Sequence, residues 1–301
     1  MKKSFKSIII LSLSAIAFSM FTACHSAPKR EMKINLIYST ANEMLESANS
    51  CILSGEYENA NYFLNQAYLQ AMTIDNYELL TAVCLGYISL NLSYNPPYTQ
   101  AANDYLTKAR VFAKYAENRP KEEALCALGE VRIKITDTNE NVDYRALINL
   151  LDENEKHIRG DKYFEAQFAS AYGDIYRSQK NYDAAEKEYT NAAKIYTDNR
   201  YLSEIGITWY KIAQVCSLNN KKTDALKALE TAIFYDRCAE NTLALGTDYY
   251  IKGIILLKGN PTAAEKAEAK YAFEHSAEIF TAAGTGMEQM AQRSLDAAEG
   301  L

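Results

Sequence analysis

Histidine occurs three times in these 301 residues, proline five times and tryptophan once. The three histidines, His25, His157 and His275, are far apart in the chain, and the sequence has no H-E-x-x-H. That removes the zinc-protease pattern. G-x-S-x-G is absent, as is a glycine-rich phosphate loop, so serine-hydrolase and nucleotide-binding chemistry have no local signature. No two cysteines stand as C-x-x-C, which removes the common zinc and dithiol frames. The acidic run Asp152-Glu153-Glu155 reads as the solvated end of a helix. We therefore expect no enzyme, no metal and no cofactor. Runs of β-branched residues are also scarce, which argues against a sheet.

A long hydrophobic run is missing too. The longest, Ile8 to Phe18, is 11 residues and too short to span a bilayer comfortably. It follows Lys2, Lys3 and Lys6 and ends in small residues at Thr22-Ala23-Cys24. This is the layout of a secretory signal, so residues 1–23 are expected to be a signal peptide and 24–31 a tether. Beyond the three signal lysines the chain carries 29 basic against 38 acidic side chains. That acidity argues against nucleic acid and against broad contact with anionic lipid. Cys51, Cys84, Cys126, Cys216 and Cys238 each sit in an apolar helical pattern and read as buried free thiols. Their odd number leaves at least one unpaired within the chain.

What the sequence has in abundance is repetition. A small residue, a bulky one four later and usually a small one three further on recur from Ala60, Ala102, Ala146, Ala185, Ala225 and Ala269. The intervals are 39 to 44 residues, the period of stacked supersecondary units that cannot bury an apolar face alone. Apolar residues follow three- and four-residue spacing from about Met32. Breakers at Gly55, Asn95-Pro96-Pro97, Arg119-Pro120, Gly160, Asn219-Asn220, Gly259-Asn260-Pro261, Gly284 and Gly286 divide the chain. About twelve helices of 15 to 20 residues and one more are expected. The clearest pair runs from Phe164 to Ser178 and from Tyr182 to Tyr196, with Gly173 and Ala185 as the small residues of its contact. Met287, Met290, Ala291, Leu295 and Ala298 make the apolar stripe of a last, capping helix.

These residues resemble the tetratricopeptide repeat. The fourth unit has Ala169, Tyr172-Gly173, Tyr176, Ala185 and Tyr189; the fifth has Trp209, Ile212-Ala213, Ala225, Leu229 and Ala232. The resemblance covers about 32–283, within an expected repeat domain of 32–301, with a period longer than the family's. It implies an all-α solenoid of about six antiparallel helix pairs, a right-handed superhelix whose first helices line a concave face. Carrying the family's groove positions over gives Tyr87, Glu130, Ser170, Asp174, Arg177, Tyr210, Gln214 and Tyr250 as partner-binding residues. The set lacks the Lys and Asn clamp for a C-terminal carboxylate.

Thr22-Ala23-Cys24 resembles the lipobox of bacterial lipoproteins, with Phe21 where leucine is usual. By that resemblance Cys24 carries a lipid and the protein faces the periplasm, with His25 leaning to the outer membrane. A peptide-sensing regulator of the kind that uses this long period in the cytosol conflicts with the signal peptide, and two readings stay open. One is an envelope-anchored interaction module that binds another protein or a peptide, with a homo-oligomer also open. The other is an auxiliary ligand-handling subunit like the helical-repeat lipoproteins of TRAP transporters, suggested by Val83, Leu90, Ile254 and Leu257. A mixed polar groove favours the first, and a continuous apolar channel the second.

Overall fold

The computed structural model describes residues 35–137, 141–284 and 286–301, and residues 37–301 form one compact unit. The expected signal peptide and tether, with Cys24, lie outside the described residues. Thirteen helices and no strand occur among those described. They are α1 (Leu36–Leu53), α2 (Tyr57–Thr73), α3 (Tyr77–Ser93), α4 (Thr99–Ala113), α5 (Arg119–Thr136), α6 (Tyr144–Glu155) and α7 (Lys162–Ser178). There follow α8 (Tyr182–Asn199), α9 (Leu202–Leu218), α10 (Lys222–Cys238), α11 (Thr242–Leu256), α12 (Ala263–Ala283) and α13 (Glu288–Glu299). The first twelve form six successive hairpins, and α13 packs on α12. Two lengths fall outside the expected range: α6 has 12 residues and α12 has 21.

Half of the twelve connections share one device. Six turns place a residue in the left-handed region: Gly55, Asp75, Lys180, Arg200, Asn220 and Glu240. The next residue then donates its N–H five positions back, as from Asn76 to Ala71 O, Asn181 to Tyr176 O and Asn241 to Asp236 O. That closes the carbonyls orphaned at a helix end. The same asparagines cap the following helix, where Asn76, Asn181 and Asn241 accept from the N–H three residues on. One short segment thus ends one helix and starts the next.

Packing within a pair follows small-against-large. Gly173 on α7 lies under the ring of Tyr189 on α8; a Cβ there would meet Cδ1 at 2.6 Å. The large partner of Gly173 is therefore Tyr189, and Ala185 is a separate buried contact on the same face. In the last helix the buried stripe is Ala291, Ser294 and Ala298, whereas Met290 and Leu295 are 42% and 41% exposed. The reason is a polar contact. Ser276 of α12 donates to Gly246 O at 2.7 Å and sits 3.0 Å from the Ser294 hydroxyl, so small side chains must face inward.

The first and sixth units touch. Leu243 Cδ2 and Met287 Cε lie 3.2 and 3.4 Å from where a Cβ on Gly55 would stand. The turn of the first hairpin therefore rests on the start of α11 and on the residue before α13.

Of the five cysteines, Cys84, Cys126 and Cys216 are buried and free, Cys51 is half-buried and Cys238 is exposed at the end of α10. Cys238 thus departs from the expected buried set, because the last residue of a helix can turn out of the packed face. Burial pushes the thiols of Cys84, Cys126 and Cys216 up to about 12.

Candidate functional site

A cavity of about 520 Å³ is bounded by the first helix of five successive hairpins. Helices α1, α3 and α5 supply apolar walls, among them Ile52, Leu85, Leu128 and Ile135. Helices α7 and α9 supply the polar end: Gln167, Asp174, Arg177 and Lys211, facing Arg132 of α5.

That end is a network across three helices. Tyr189 of α8 donates its hydroxyl to Asp174 at 2.6 Å. Lys211 of α9 donates to Asp174 at 2.8 Å and to Ser170 at 3.0 Å. The guanidinium of Arg177 donates to Gln214 at 3.0 Å, not to Asp174. Burial pushes the Asp174 carboxyl up, but Lys211, Tyr189 and Arg177 outweigh it and hold its pKa below the ordinary value. The Lys211 ammonium is nonetheless held below its ordinary value, by burial first, with Arg132 and Arg177 adding repulsion to what Asp174 gives back. The two directions agree on one point: three cations crowd a single carboxylate. The pocket has a surplus of positive charge that an anionic group would relieve.

Of the residues carried over from the resemblance, Ser170, Asp174, Arg177 and Gln214 come together here. Tyr210 lines a second cavity described below. Tyr87 faces its own hairpin, stacked on Tyr105 of α4 with ring centroids 4.3 Å apart. Glu130 pairs with Arg110 of α4. Tyr250 accepts from Arg293 of α13 at 3.0 Å and packs on Phe273. The cause is a change of register. On α3 and α5 the cavity takes residues one before and three after the glycine of the repeat, Leu85 and Ser89 around Gly86, Leu128 and Arg132 around Gly129. On α7 it takes those one and four after Gly173. Arg132 was missed for this reason; Lys211, two before Ala213 on α9, also lies off the carried-over positions. The available signal was a lone cation in an otherwise apolar stripe, as in Val-Arg-Ile and Tyr-Lys-Ile.

The apolar positions that suggested a channel lie elsewhere. Val83 and Leu90 are core, and Ile254 and Leu257 pack on the cluster around Leu256 and Phe273. Among the described residues no group of three His, Cys, Asp or Glu is placed to hold a metal, and no helix is long and apolar enough to cross a membrane.

No family model matches the chain, and no curated protein matches it. Among solved structures it is similar to a Rap protein complexed with competence and sporulation factor. That match has a TM-score of 0.58 and 16% identity, over 86% of this chain and 70% of that one. It is also similar to the apo form of RapI, with a TM-score of 0.51 and 12% identity, over 87% of this chain and 99% of that one. At these identities the likeness is one of architecture: this chain is an all-α solenoid of tetratricopeptide-like helix pairs.

Proposed function

We propose that this chain is an envelope-anchored interaction module that holds a segment of another protein, or a peptide, in the cavity framed by α1, α3, α5, α7 and α9. The surplus of positive charge at Arg132, Arg177 and Lys211 carries this reading. The segment it suits has an apolar stretch for the walls of α1, α3 and α5 and a carboxylate for the basic end. The similar Rap protein was crystallised with competence and sporulation factor, which supports binding as the use of this architecture. The mixed lining and the buried state of Val83 and Leu90 favour this reading over an apolar ligand channel. The role is recognition and not catalysis. The anchor is the lipid on Cys24, and the solenoid faces the periplasm, the outer membrane being its place.

Two variants test the reading. Arg132→Glu with Arg177→Glu reverses the charge of the basic end and should abolish specific capture of envelope proteins, while helical circular dichroism stays unchanged. The same partners retained at the same level would refute the groove assignment. Cys24→Ala should move the protein from the membrane to the soluble envelope fraction; an unchanged membrane fraction would refute the lipid anchor.

A further inference from the structure

A second cavity of about 320 Å³ opens where the first and sixth units meet. Its walls are largely apolar: Ile52, Leu53, Tyr57, Ile207, Tyr210 and Leu243. Two carboxylates also line it, Asp236 near the end of α10 and Asp248 in the middle of α11. Each is 1% exposed. With both ionised, none of their four oxygens receives a hydrogen bond; when one carboxyl is protonated it donates to the other. No lysine or arginine among the described residues offsets either group; burial and the other carboxylate act on them alone. Tyr210 also feels the pair: its hydroxyl is pushed up by burial and by Asp248. Asp236 is seated against Gly206 of α9, where any Cβ would collide with its carboxylate. Buried carboxylates are ordinarily hydrogen-bonded or paired. Here both line an unfilled space whose mostly apolar wall also carries Ser93, Asn241 and Thr247.

We propose that Asp236 and Asp248 form a binding site for the guanidinium or ammonium of an arginine or lysine side chain, with its alkyl stem along Ile52, Leu53 and Leu243. Either cation supplies the donors that the ionised pair lacks and offsets one of its two charges. The side chain belongs to the same segment that occupies the basic groove. The two cavities share Ile52, Leu53 and Ser93 in their linings, so one occupant can reach both. The site thus rests on the proposed function for the source of its cation, and it makes the preferred segment one of mixed charge.

The linkage has a definite sign. Burial pushes both carboxyls up, and at Asp248 the Asp236 charge and the hydrogen bond its proton makes to Asp236 push further the same way. The two titrate together and share a proton near neutral pH. A cation favours the ionised pair, so binding releases up to about one proton near pH 7.5, weakens steadily as pH falls from the alkaline side, and weakens more steeply once the second carboxyl is protonated.

Isothermal titration of the full chain with N-acetyl-arginine methylamide tests the site, run at pH 7.5 in two buffers of different ionisation enthalpy. The expected result is binding with proton release. The neutral citrulline analogue should bind at least roughly tenfold more weakly, since hydrogen bonds to charged groups are the strong ones. Asp236→Asn with Asp248→Asn keeps the shape, removes the repulsion and should keep or raise the melting temperature while losing the binding. Equal binding of the citrulline analogue, undiminished binding by the double variant, or no binding at all overturns the proposal. Butane-1,4-diamine is the companion probe; if it binds and the arginine derivative does not, the site does not serve a peptide side chain. Arg132→Glu with Arg177→Glu should leave this binding intact, so failure of the groove reading and failure of this site are separately visible.

Discussion

Gly173 and Tyr189 show how one residue sets the spacing of a hairpin. The tyrosine ring lies flat where a side chain on residue 173 would stand, and its hydroxyl continues to Asp174 at 2.6 Å. Packing and the polar network therefore depend on the same absence of a Cβ. Gly173→Ala should cost about 1–3 kcal/mol by overpacking, and it should also displace the Tyr189 hydroxyl from Asp174. Chemical denaturation measures the first, and ultraviolet titration of the tyrosines measures the second as an earlier-ionising group. The small-and-large pattern around Gly173 was legible in the sequence because steric fit is written in residue size. Which face of each helix meets the cavity was not. Tyr87 and Glu130 occupy the positions the family would use, yet Tyr105 and Arg110 of α4 draw them to the hairpin's own side.

At the scale of the element, the helices were legible and several turns were not. Glycine and proline mark Gly55, Gly160 and Gly259 in the sequence, but the turns at Asp75, Arg200 and Glu240 carry neither. Those turns close by the N–H of the next residue bonding back to Ala71, Tyr196 and Asp236, so the backbone itself stops the helix. A residue with a side chain in that conformation is strained by about 1 kcal/mol relative to glycine. Glu240 is exposed, with φ of 54°. Glu240→Gly should therefore raise stability, by up to about 1 kcal/mol, read as a higher denaturation midpoint with an unchanged slope. A lower midpoint would mean that the flexibility gained by the unfolded chain outweighs the relieved strain. The short α6 belongs to this scale as well. It is the second helix of the third unit and the shortest of the first twelve.

Across the whole repeat region, stability in a solenoid is ordinarily a sum of nearest-neighbour interfaces, and distant units do not know of one another. Ion pairs such as Lys121–Asp161, Lys221–Asp183 and Lys252–Glu230 follow that local rule, each joining adjacent hairpins. The contact of Gly55 with Leu243 and Met287 breaks it, since it couples the first unit to the sixth. No repeat count could have revealed this, because closure depends on the small rotation between units accumulated over five steps. The closure is also what places Ile52 and Tyr57 opposite Asp248 and so creates the second cavity. Leu243→Asp puts a charge into this contact and beside two carboxylates, so the first and sixth units should part. Small-angle scattering should then show a larger radius of gyration, and denaturation should lose its single sharp transition as the ends unfold separately from the middle. Helical content should stay near that of the parent protein, since each hairpin keeps its own partner. An unchanged radius with one sharp transition would mean that the intervening hairpins hold the curvature without the contact. In that case the second cavity is a consequence of how α1 to α12 stack and not of a closure that a ligand could reinforce.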